Sequence, residues 1–360
     1  MLPGMPQPGA STLGGDGWAL HRGDALGAYP SWPVPAVIVS DGAYGVRGFH
    51  GDTVGPGDLV EWYRPHVEAW SLAAAPGTVL WFWNTEVGWA TVHPLLVESG
   101  WDYVQAVVWD KGIAHVAGNV NGRTLRRFPV VTEVVVLYQR RFEIDTPDAG
   151  RMTVQRWLRH EWLRAGLPLS RSNEACGVAN AATRKYLTQD WLWYWPPADM
   201  MEKLVRYANE HGGEPGWPYY SFDGRRPVTA KEWAALRYKW RHVHGLTNVW
   251  RHGPLHSEER VRGGGRRSAP RVHNPSARST THLNQKPLEL MRRAVSAVTE
   301  PGDVMWEPFA GLATASVAGL GLGCRVYAAE IDPEFAEIAA QRLRSAVTAQ
   351  ALQDASECLR

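Results

Sequence analysis

Residues 303–314 read DVMWEPFAGLAT, and this stretch decides the fold. It predicts a short buried strand, Asp303–Trp306, with Glu307 at its carboxyl end, then a turn and a helix that begins near Thr314. In α/β proteins, nucleotide-like ligands bind at the carboxyl ends of parallel strands, and Gly311 would let the backbone approach such a ligand closely. The stretch therefore predicts an α/β fold with a ligand site at this turn.

The flanking segments extend the same pattern. A helix is expected over Lys286–Val298, a strand over Arg325–Ile331 and a final helix over Pro333–Ala346. Glu330 lies near the end of that strand, where a carboxylate can accept hydrogen bonds from a ribose diol. The turn after Glu307 lacks the later glycines of a dinucleotide-binding GxGxxG loop, and the sequence contains no GxxxxGK(S/T) motif. An adenosyl-type cofactor is therefore favoured.

Four nearly continuous apolar runs dominate the first part of the chain. They are Ala36–Ser40, Thr78–Asn84, Tyr103–Trp109 and Thr132–Tyr138. Such runs are typical of strands buried on both faces of a parallel sheet, and Asp58–Ala75 is long enough for a helix between the first two.

The sequence pattern changes between residues 145 and 275, where regular strand signals are absent and Trp, Tyr, Arg and His are frequent. Helices are expected at Val154–Ala165, Ala198–His211 and Thr229–Val243, the last opening on a Thr229–Glu232 capping box. The stretch closes with a basic, glycine-rich segment that contains Arg260, Arg262, Arg266, Arg267, Arg271 and Arg278. This segment is either a solvated surface loop or an arm that grips phosphates.

Composition excludes several classes of protein. The chain has 360 residues, a net charge of +2 and apolar runs far too short to cross a bilayer. Its three cysteines lack CxxC spacing, which argues against a disulfide framework and a zinc site and fits the cytoplasm. The 19 Trp residues and the preference for Arg over Lys suit either core packing or a recognition surface.

Polar residues also follow the first apolar run, at Ser40-Asp41-Gly42-Ala43-Tyr44. A carboxylate and a backbone carbonyl can accept both hydrogens of an exocyclic amino group, while a Tyr ring stacks on the base. The alternative is an ordinary Asp-Gly turn. A further acidic loop, containing Asp24, lies just before this strand.

Taken together, these segments resemble the β-group of DNA amino-methyltransferases. In that family an Asp/Ser-Pro-Pro-Tyr catalytic segment precedes an Asp-Pro-Phe-x-Gly-x-Gly-Thr cofactor loop, and a target recognition region lies between them. Here the corresponding segments are Asp41–Tyr44 and Glu307–Thr314. Thr281–Glu289 resembles the family's Gln-Lys-Pro-Leu-Glu motif, Arg22–Leu26 its Gly-Asp-Ala segment, and Trp109-x-Lys111 its Trp-x-Lys.

The resemblance implies a Rossmann-like methyltransferase fold: a seven-stranded sheet with helices on both faces, interrupted by a mostly helical or irregular target recognition insertion. It implies S-adenosylmethionine as cofactor, no metal, and double-stranded DNA as substrate, with the target base flipped out. The catalytic residues would be Ser40, Asp41, Gly42 and Tyr44. The cofactor-binding residues would be Asp24, Asp41, His282, Gln285, Lys286, Glu307, Phe309, Gly311, Thr314 and Glu330.

The chain departs from the family pattern in the catalytic segment. Gly42-Ala43 replaces the proline pair, which makes this loop looser. In the family Asp leans to adenine N6 and Ser to cytosine N4, and because Ser40 directly precedes Asp41, both bases stay open. The preference for Arg over Lys suggests GC-rich coding, for which GC-rich targets are plausible, and this gives a slight preference to cytosine N4. An RNA or small-molecule methyltransferase and a catalytically impaired DNA-binding relic are the alternatives.

The expected organisation is a flexible tail over 1–15, a catalytic half over 16–145, a target recognition region over 146–279, a cofactor-binding half over 280–346 and a tail over 347–360. The candidate DNA-binding residues are Arg184, Lys185, Arg262, Arg266, Arg267 and Arg271, with Asn180, Tyr186 and the Trp191–Trp195 run nearby. Core packing is the favoured interpretation of that Trp run. A restriction endonuclease partner and a monomeric or homodimeric state are compatible with the sequence.

Overall fold

The computed structural model describes residues 12–46, 54–115, 126–179, 183–214, 216–253, 255, 259–261 and 285–358. The chain divides into two compact units. The sheet unit combines residues 1–140 with 238–360, and the inserted unit is residues 141–237. One layered domain is thus split in sequence around an insertion, as the changes in sequence pattern near residues 145 and 280 predict.

The sheet unit is built on one sheet of nine strands. In chain order these are β1 (Thr12–Gly15), β2 (Trp18–Arg22), β3 (Val37–Ser40), β4 (Val79–Asn84), β5 (Trp101–Asp110), β6 (Thr132–Arg140), β9 (Val249–Arg251), β10 (Val304–Glu307) and β11 (Arg325–Glu330), with β7 and β8 in the inserted unit. Their spatial order is β1-β2-β11-β10-β3-β4-β6-β5-β9. The five strands from β2 to β4 are parallel, and β6 is antiparallel to both neighbours.

Helices cover both faces of the sheet. One face packs against α1 (Leu59–Ala73) and α2 (Glu86–Glu98), the other against α7 (Leu288–Ser296), α8 (Thr314–Leu320) and α9 (Pro333–Cys358). Every residue of β3, β4 and β10 is buried, which explains their continuous apolarity. The mixed α/β, Rossmann-like fold expected from the sequence is confirmed.

Two edge strands make the sheet larger than the expected seven. β1 pairs with β2, so Thr12–Gly15 is an edge strand instead of part of a flexible tail; residues 1–11 lie outside the described residues. At the other edge β9 pairs with β5, and Trp250 is buried with its ring 6.3 Å from that of Trp81.

The boundaries expected for the insertion and the final helix were wrong in places. The inserted unit ends at Arg237, not at residue 279, because the chain returns to the sheet at β9. It begins at Arg141, five residues before the expected start. The helix that follows the Thr229–Glu232 capping box stops at Ala235, and α9 continues to Cys358 instead of giving way to a tail after Ala346.

The inserted unit has its own core. It contains the hairpin β7 (Glu143–Thr146) and β8 (Gly150–Thr153), and α3 (Val154–Arg164), α4 (Ser172–Cys176), α5 (Ala198–His211) and α6 (Ala230–Ala235). Glu161 on α3 is only 1% exposed. Its carboxylate lies 2.7 Å from the Arg164 guanidinium and accepts the Tyr220 backbone N–H at 2.6 Å.

The tryptophan excess belongs mainly to these cores. Nine of the 19 Trp side chains are less than 2% exposed, and they occur in both units. Buried indole N–H groups need acceptors: Trp81 donates to the Ala294 carbonyl and Trp306 to the Pro33 carbonyl, both at 2.9 Å. Core packing is therefore the main role of Trp in this chain. Among the described residues, no helix is both long and apolar enough to cross a membrane.

The buried charge of Glu161 makes the inserted unit testable. The substitution Glu161→Ala should lower the free energy of unfolding by about 3 kcal/mol, because it leaves Arg164 without its buried partner. Arg151→Ala is the control, since Arg151 pairs with Asp145 on the surface and should contribute less than about 1 kcal/mol. Urea unfolding measures both, and hydrogen exchange would localise the loss to residues 141–237. Equal effects of the two substitutions would contradict this assignment.

Candidate active site

A cleft opens at the carboxyl ends of the parallel strands of the sheet unit. Four loops line it: Gly23–Ala25 after β2, Asp41–Tyr44 after β3, Glu307–Leu312 after β10 and Glu330–Asp332 after β11. Parallel strands place their carboxyl ends at one edge of a sheet, so segments distant in sequence meet there. The structure thus brings together the acidic loop, the catalytic segment and the cofactor loop that the sequence singles out.

Glu307 shapes the cofactor loop from inside. Its carboxylate accepts the backbone N–H groups of Ala315 (3.1 Å) and Ser316 (2.7 Å), as well as the Ser316 hydroxyl. These are unpaired amides in the first turn of α8, where an anion is favoured. Burial raises the pKa of Glu307 to about 7. Ala313, where the family pattern has glycine, sits in the left-handed region with φ +55°.

Glu330 links three of the loops. Its carboxylate accepts the N–H of Gly311 at 2.6 Å and that of Asp332 at 2.7 Å, while its backbone carbonyl accepts the N–H of Gly23 at 2.9 Å. Burial raises the pKa of Glu330 to about 7. Asp24 is exposed at the rim, where its side chain accepts the N–H of Leu26.

The catalytic segment lies against a buried lysine. Lys286 is 4% exposed, and its Nζ is 3.3 Å from Asp41 Oδ1. Tyr44 Oη donates to the same Asp41 oxygen at 2.8 Å, and the Lys286 ammonium lies 4.8 Å from the centre of the Tyr44 ring. Burial raises the pKa of Asp41; the nearby Lys286 opposes that rise and the nearby Glu133 adds to it.

Glu133, at the start of β6, is a site residue that the sequence reasoning missed. Its Oε1 lies 2.5 Å from Lys111 Nζ, and its Oε2 is 3.3 Å from Lys286 Nζ and accepts the Trp83 indole N–H at 2.7 Å. The Tyr44 hydroxyl is 3.1 Å from the same oxygen. Burial pushes the pKa of Glu133 up, but the two lysines outweigh it and hold that pKa at about 2.

A charged residue inside the apolar run Thr132–Tyr138 was the available signal for Glu133, because a buried charge in a strand needs partners. Glu133 and Asp41 supply two carboxylates, and Lys111 and Lys286 supply two ammonium groups, to one cluster. We call Asp41, Lys111, Glu133 and Lys286 the buried ion cluster.

The remaining predicted site residues fall into three groups. Phe309, Thr314 and Gln285 line the cleft, and the Gln285 amide also bonds to the backbone of Val261 and Glu259. Ser40 is fully buried, does not line the cleft, and its Oγ has no hydrogen-bond partner within the described part of the chain. The residues outside the described ranges are His282, Asn180, Arg262, Arg266, Arg267 and Arg271.

The inserted unit presents an aromatic and basic surface. Arg184 is exposed, and Lys185 Nζ lies 5.4 Å from the ring centre of Tyr194, which is itself 62% exposed. The Trp191–Trp195 run is divided. Trp195 stacks on Trp233 in the core, as expected, whereas Trp191 is 89% exposed, so the core interpretation was wrong there.

No group of three or more His, Cys, Asp or Glu side chains that could hold a metal ion occurs among the described residues. The cleft offers carboxylates, backbone amides and aromatic faces instead. Carboxylates can accept hydrogen bonds from hydroxyl and amino groups, and the aromatic side chains Trp62 and Phe309, whose ring centres are 5.0 Å apart, can pack on an apolar or cationic group.

Comparisons with known proteins give the family. Residues 37–341 match the N6_N4_Mtase family, described as DNA methylase. A segment of 72 residues is 35% identical to the type II methyltransferase M.BglII of Bacillus subtilis and covers 20% of each chain. A segment of 74 residues is 32% identical to the DNA adenine methyltransferase YhdJ of Escherichia coli K12 and covers 21% of this chain and 25% of that one. The matched segments span about a quarter or less of these relatives.

One solved structure with a similar fold is the PvuII DNA methyltransferase, described as cytosine-N4-specific. It is 12% identical, with a TM-score of 0.49 over 90% of this chain and 86% of its own. Similarity at this level carries no argument about this chain. The family match, by contrast, runs from β3 into α9 and includes both the catalytic segment and the cofactor loop. The chain therefore belongs to the N6/N4 DNA methylase family, and with its catalytic segment ahead of its cofactor loop, to the β-group of DNA amino-methyltransferases.

Proposed function

We propose that this chain transfers a methyl group from S-adenosylmethionine to the exocyclic amino group of a base in double-stranded DNA, at a specific sequence. The observation that carries the proposal is the shared cleft: Asp41 and Glu330, the catalytic and cofactor carboxylates expected from the family, open on the same cavity. Neither an ordinary Asp-Gly turn nor a structural acid at a strand end would require that meeting.

The cleft fits the cofactor by the chemistry of its donors and acceptors. Glu330 and Asp24 supply acceptors for hydroxyl and amino groups, and the glycine-containing turn at Gly311 brings backbone close to the cavity. Bound S-adenosylmethionine supplies a methyl group on a positively charged sulfur. The carboxylates and the Trp62 and Phe309 rings that line the cleft suit a cationic ligand.

Asp41 and Tyr44 act on the target base. Once the base has left the stack, the Asp41 carboxylate and the Gly42 carbonyl accept the two amino hydrogens, which localises the nitrogen lone pair for methylation. Tyr44 Oη donates to Asp41 and also lies 3.1 Å from Glu133 Oε2, so base binding exchanges the bond to Asp41 for one from the amino group, and the Tyr44 ring stacks on the base. Lys286 holds the Asp41 carboxylate in place and is itself paired with Glu133.

The choice of base follows from which side chain reaches the cleft. The slight preference for cytosine N4 came from the Arg-rich composition, with Ser40 and Asp41 both open as the acting residue; Ser40 is buried in β3, whereas Asp41 lines the cavity. In the family Asp leans to adenine. This geometry favours adenine N6, which we propose ahead of cytosine N4. Methylome sequencing of DNA from an expressing host decides between them, and N4-methylcytosine alone would overturn the order.

The inserted unit is the proposed target recognition region. Arg184, Trp191 and Tyr194 are exposed and Lys185 is half-buried, and these cationic and aromatic side chains suit phosphates and bases. The arginines at 262, 266, 267 and 271, outside the described residues, are proposed as further phosphate contacts. With DNA as the proposed substrate, we propose that the protein acts in the bacterial cytoplasm, and a restriction endonuclease partner is compatible with this role.

The central test is the substitution Asp41→Asn. It removes the negative charge but keeps the size of the side chain, so the rate of methyl transfer to plasmid DNA should fall by at least about 100-fold. Cofactor affinity, measured by calorimetry, should fall much less than the rate, because Asp41 is one of several carboxylates that line the cleft. Tritium transfer from labelled cofactor reports the rate. Wild-type protein that labels RNA and not DNA would favour the RNA alternative, and protein that binds DNA without labelling any substrate would favour the relic.

Cofactor affinity should depend on pH through Glu330. Its pKa is raised to about 7, so in the free protein the carboxyl group is protonated as pH falls through 7, and a bound hydroxyl donor then loses its acceptor. Affinity should therefore rise between about pH 5.5 and pH 7.5, with proton release on binding. Glu307, with a similar pKa, titrates in the same range, so Glu330→Gln should flatten the profile strongly and Glu307→Gln less. Calorimetry in buffers of different ionisation enthalpy measures the released protons; an unchanged profile in Glu330→Gln would contradict the assignment.

The recognition role of the inserted unit is tested with Arg184→Ala/Lys185→Ala. Removing two phosphate-binding cations should weaken DNA binding at low salt by about tenfold or more and reduce the slope of log affinity against log salt by about 2. Arg151→Ala, on the same unit but paired with Asp145, is the matched control. Fluorescence anisotropy over a salt series measures both, and an equal effect of the control would count against a specific role for Arg184 and Lys185.

A further inference from the structure

The catalytic loop lacks the prolines that its family uses to hold this segment. A Gly-Ala pair has far more backbone freedom than Pro-Pro, so the unrestrained loop would place Asp41 and the Gly42 carbonyl over a wide range of positions. Methyl transfer requires the acceptors of the amino group to be fixed to within fractions of an ångström. Something else must therefore order this loop.

Two side chains from outside the loop converge on the Ala43 carbonyl. Tyr63 Oη, from α1, donates to this oxygen at 3.0 Å, and Asn84 Nδ2, from the end of β4, donates at 3.0 Å. Both side chains are fully buried, and Ala43 is 4% exposed. A carbonyl oxygen has two lone pairs, so the two donors saturate it and fix the orientation of the Ala43–Tyr44 peptide plane.

Asn84 is itself held in one orientation. Its Oδ1 accepts the backbone N–H of Thr85 at 2.9 Å, which leaves the amide nitrogen to face Ala43. Gly88, in the first turn of α2, leaves room for it: a Cβ at Gly88 would lie 1.9 Å from Asn84 Oδ1. Backbone on two sides of Asn84 therefore sets its position.

Gly42 is coupled to the same arrangement. A Cβ at this position would lie 2.7 Å from Phe309 Cδ2 and 2.8 Å from Tyr63 Oη, both too close. A proline therefore cannot be accommodated unless the cofactor-loop ring and the donating hydroxyl move. Gly42 makes the loop more flexible, but the absence of its side chain also leaves room for the Tyr63 hydroxyl that restrains the loop.

We propose that Tyr63 and Asn84 are positioning residues that fix the catalytic loop through the Ala43 carbonyl, in place of the missing prolines. This inference rests on the proposed methyl transfer for its kinetic consequence, but the ordering of the loop is a property of the protein alone. Neither side chain needs to touch the base or the cofactor.

The test uses Tyr63→Phe and Asn84→Leu, which remove one donor each without adding a charge. Each should lower the single-turnover methylation rate by about tenfold, the ratio expected for one hydrogen bond, and leave cofactor affinity within about twofold. Amide hydrogen exchange in residues 41–46 should become faster in both. Tyr138→Phe is the matched control, because it removes another buried Tyr hydroxyl that does not bond to the loop. This hydroxyl bonds to Trp89 and His93 of α2, so the substitution should change neither the methylation rate nor the exchange of the loop.

Wild-type rates and unchanged loop exchange in both variants would overturn the proposal, even if their thermal stability fell. If the wild-type protein methylates no DNA, the proposed function fails, while faster loop exchange in the variants still supports the restraint. Gly42→Pro gives a second measurement. It should lower both the rate and cofactor affinity, since it displaces Phe309; full activity in Gly42→Pro would contradict the inferred coupling of Gly42 to Phe309 and Tyr63.

Discussion

The buried ion cluster is the interaction on which the site depends. A charge removed from water is tolerated only with partners, and here two carboxylates and two ammonium groups satisfy one another. Glu133 lies on β6, Lys111 follows β5, Asp41 follows β3 and Lys286 comes from the last third of the chain. Since no member is tolerable there alone, assembling the cluster forces four distant segments into register at one end of the sheet.

In the cofactor loop, acidic side chains fix the backbone conformation by accepting backbone N–H groups. Glu307 holds the first turn of α8 and Glu330 holds Gly311, so each carboxylate already accepts backbone N–H groups in the ligand-free protein. This supports an alanine in the left-handed position at Ala313, where Cβ disfavours the conformation. The loop is thus preorganised by hydrogen bonds. The pKa values of Glu307 and Glu330 both lie at about 7.

The sequence predicts those parts of the molecule that local patterns control. Buried strands are continuous apolar runs, and acids at their ends were correctly brought to one cleft. Interactions between distant segments were harder: β9 has only three residues and exists because β5 offers it an edge. α2 contains Gly88 and Pro94, which argue against a helix locally but are accommodated by packing. Glu133 was missed because its partners come from four other segments, which no spacing along the chain reveals.

The order of strands has a consequence for synthesis on the ribosome. β10 and β11 are made last, yet they fill the gap between β2 and β3 in the middle of the sheet. Until they emerge, β3 has an open, apolar edge and β2 has no partner on its inner side, a state prone to association with other chains. Asp41 likewise waits for Lys286 and for the loop after β10. The nascent chain therefore completes the cleft late, when β10 and β11 pair with β2 and β3.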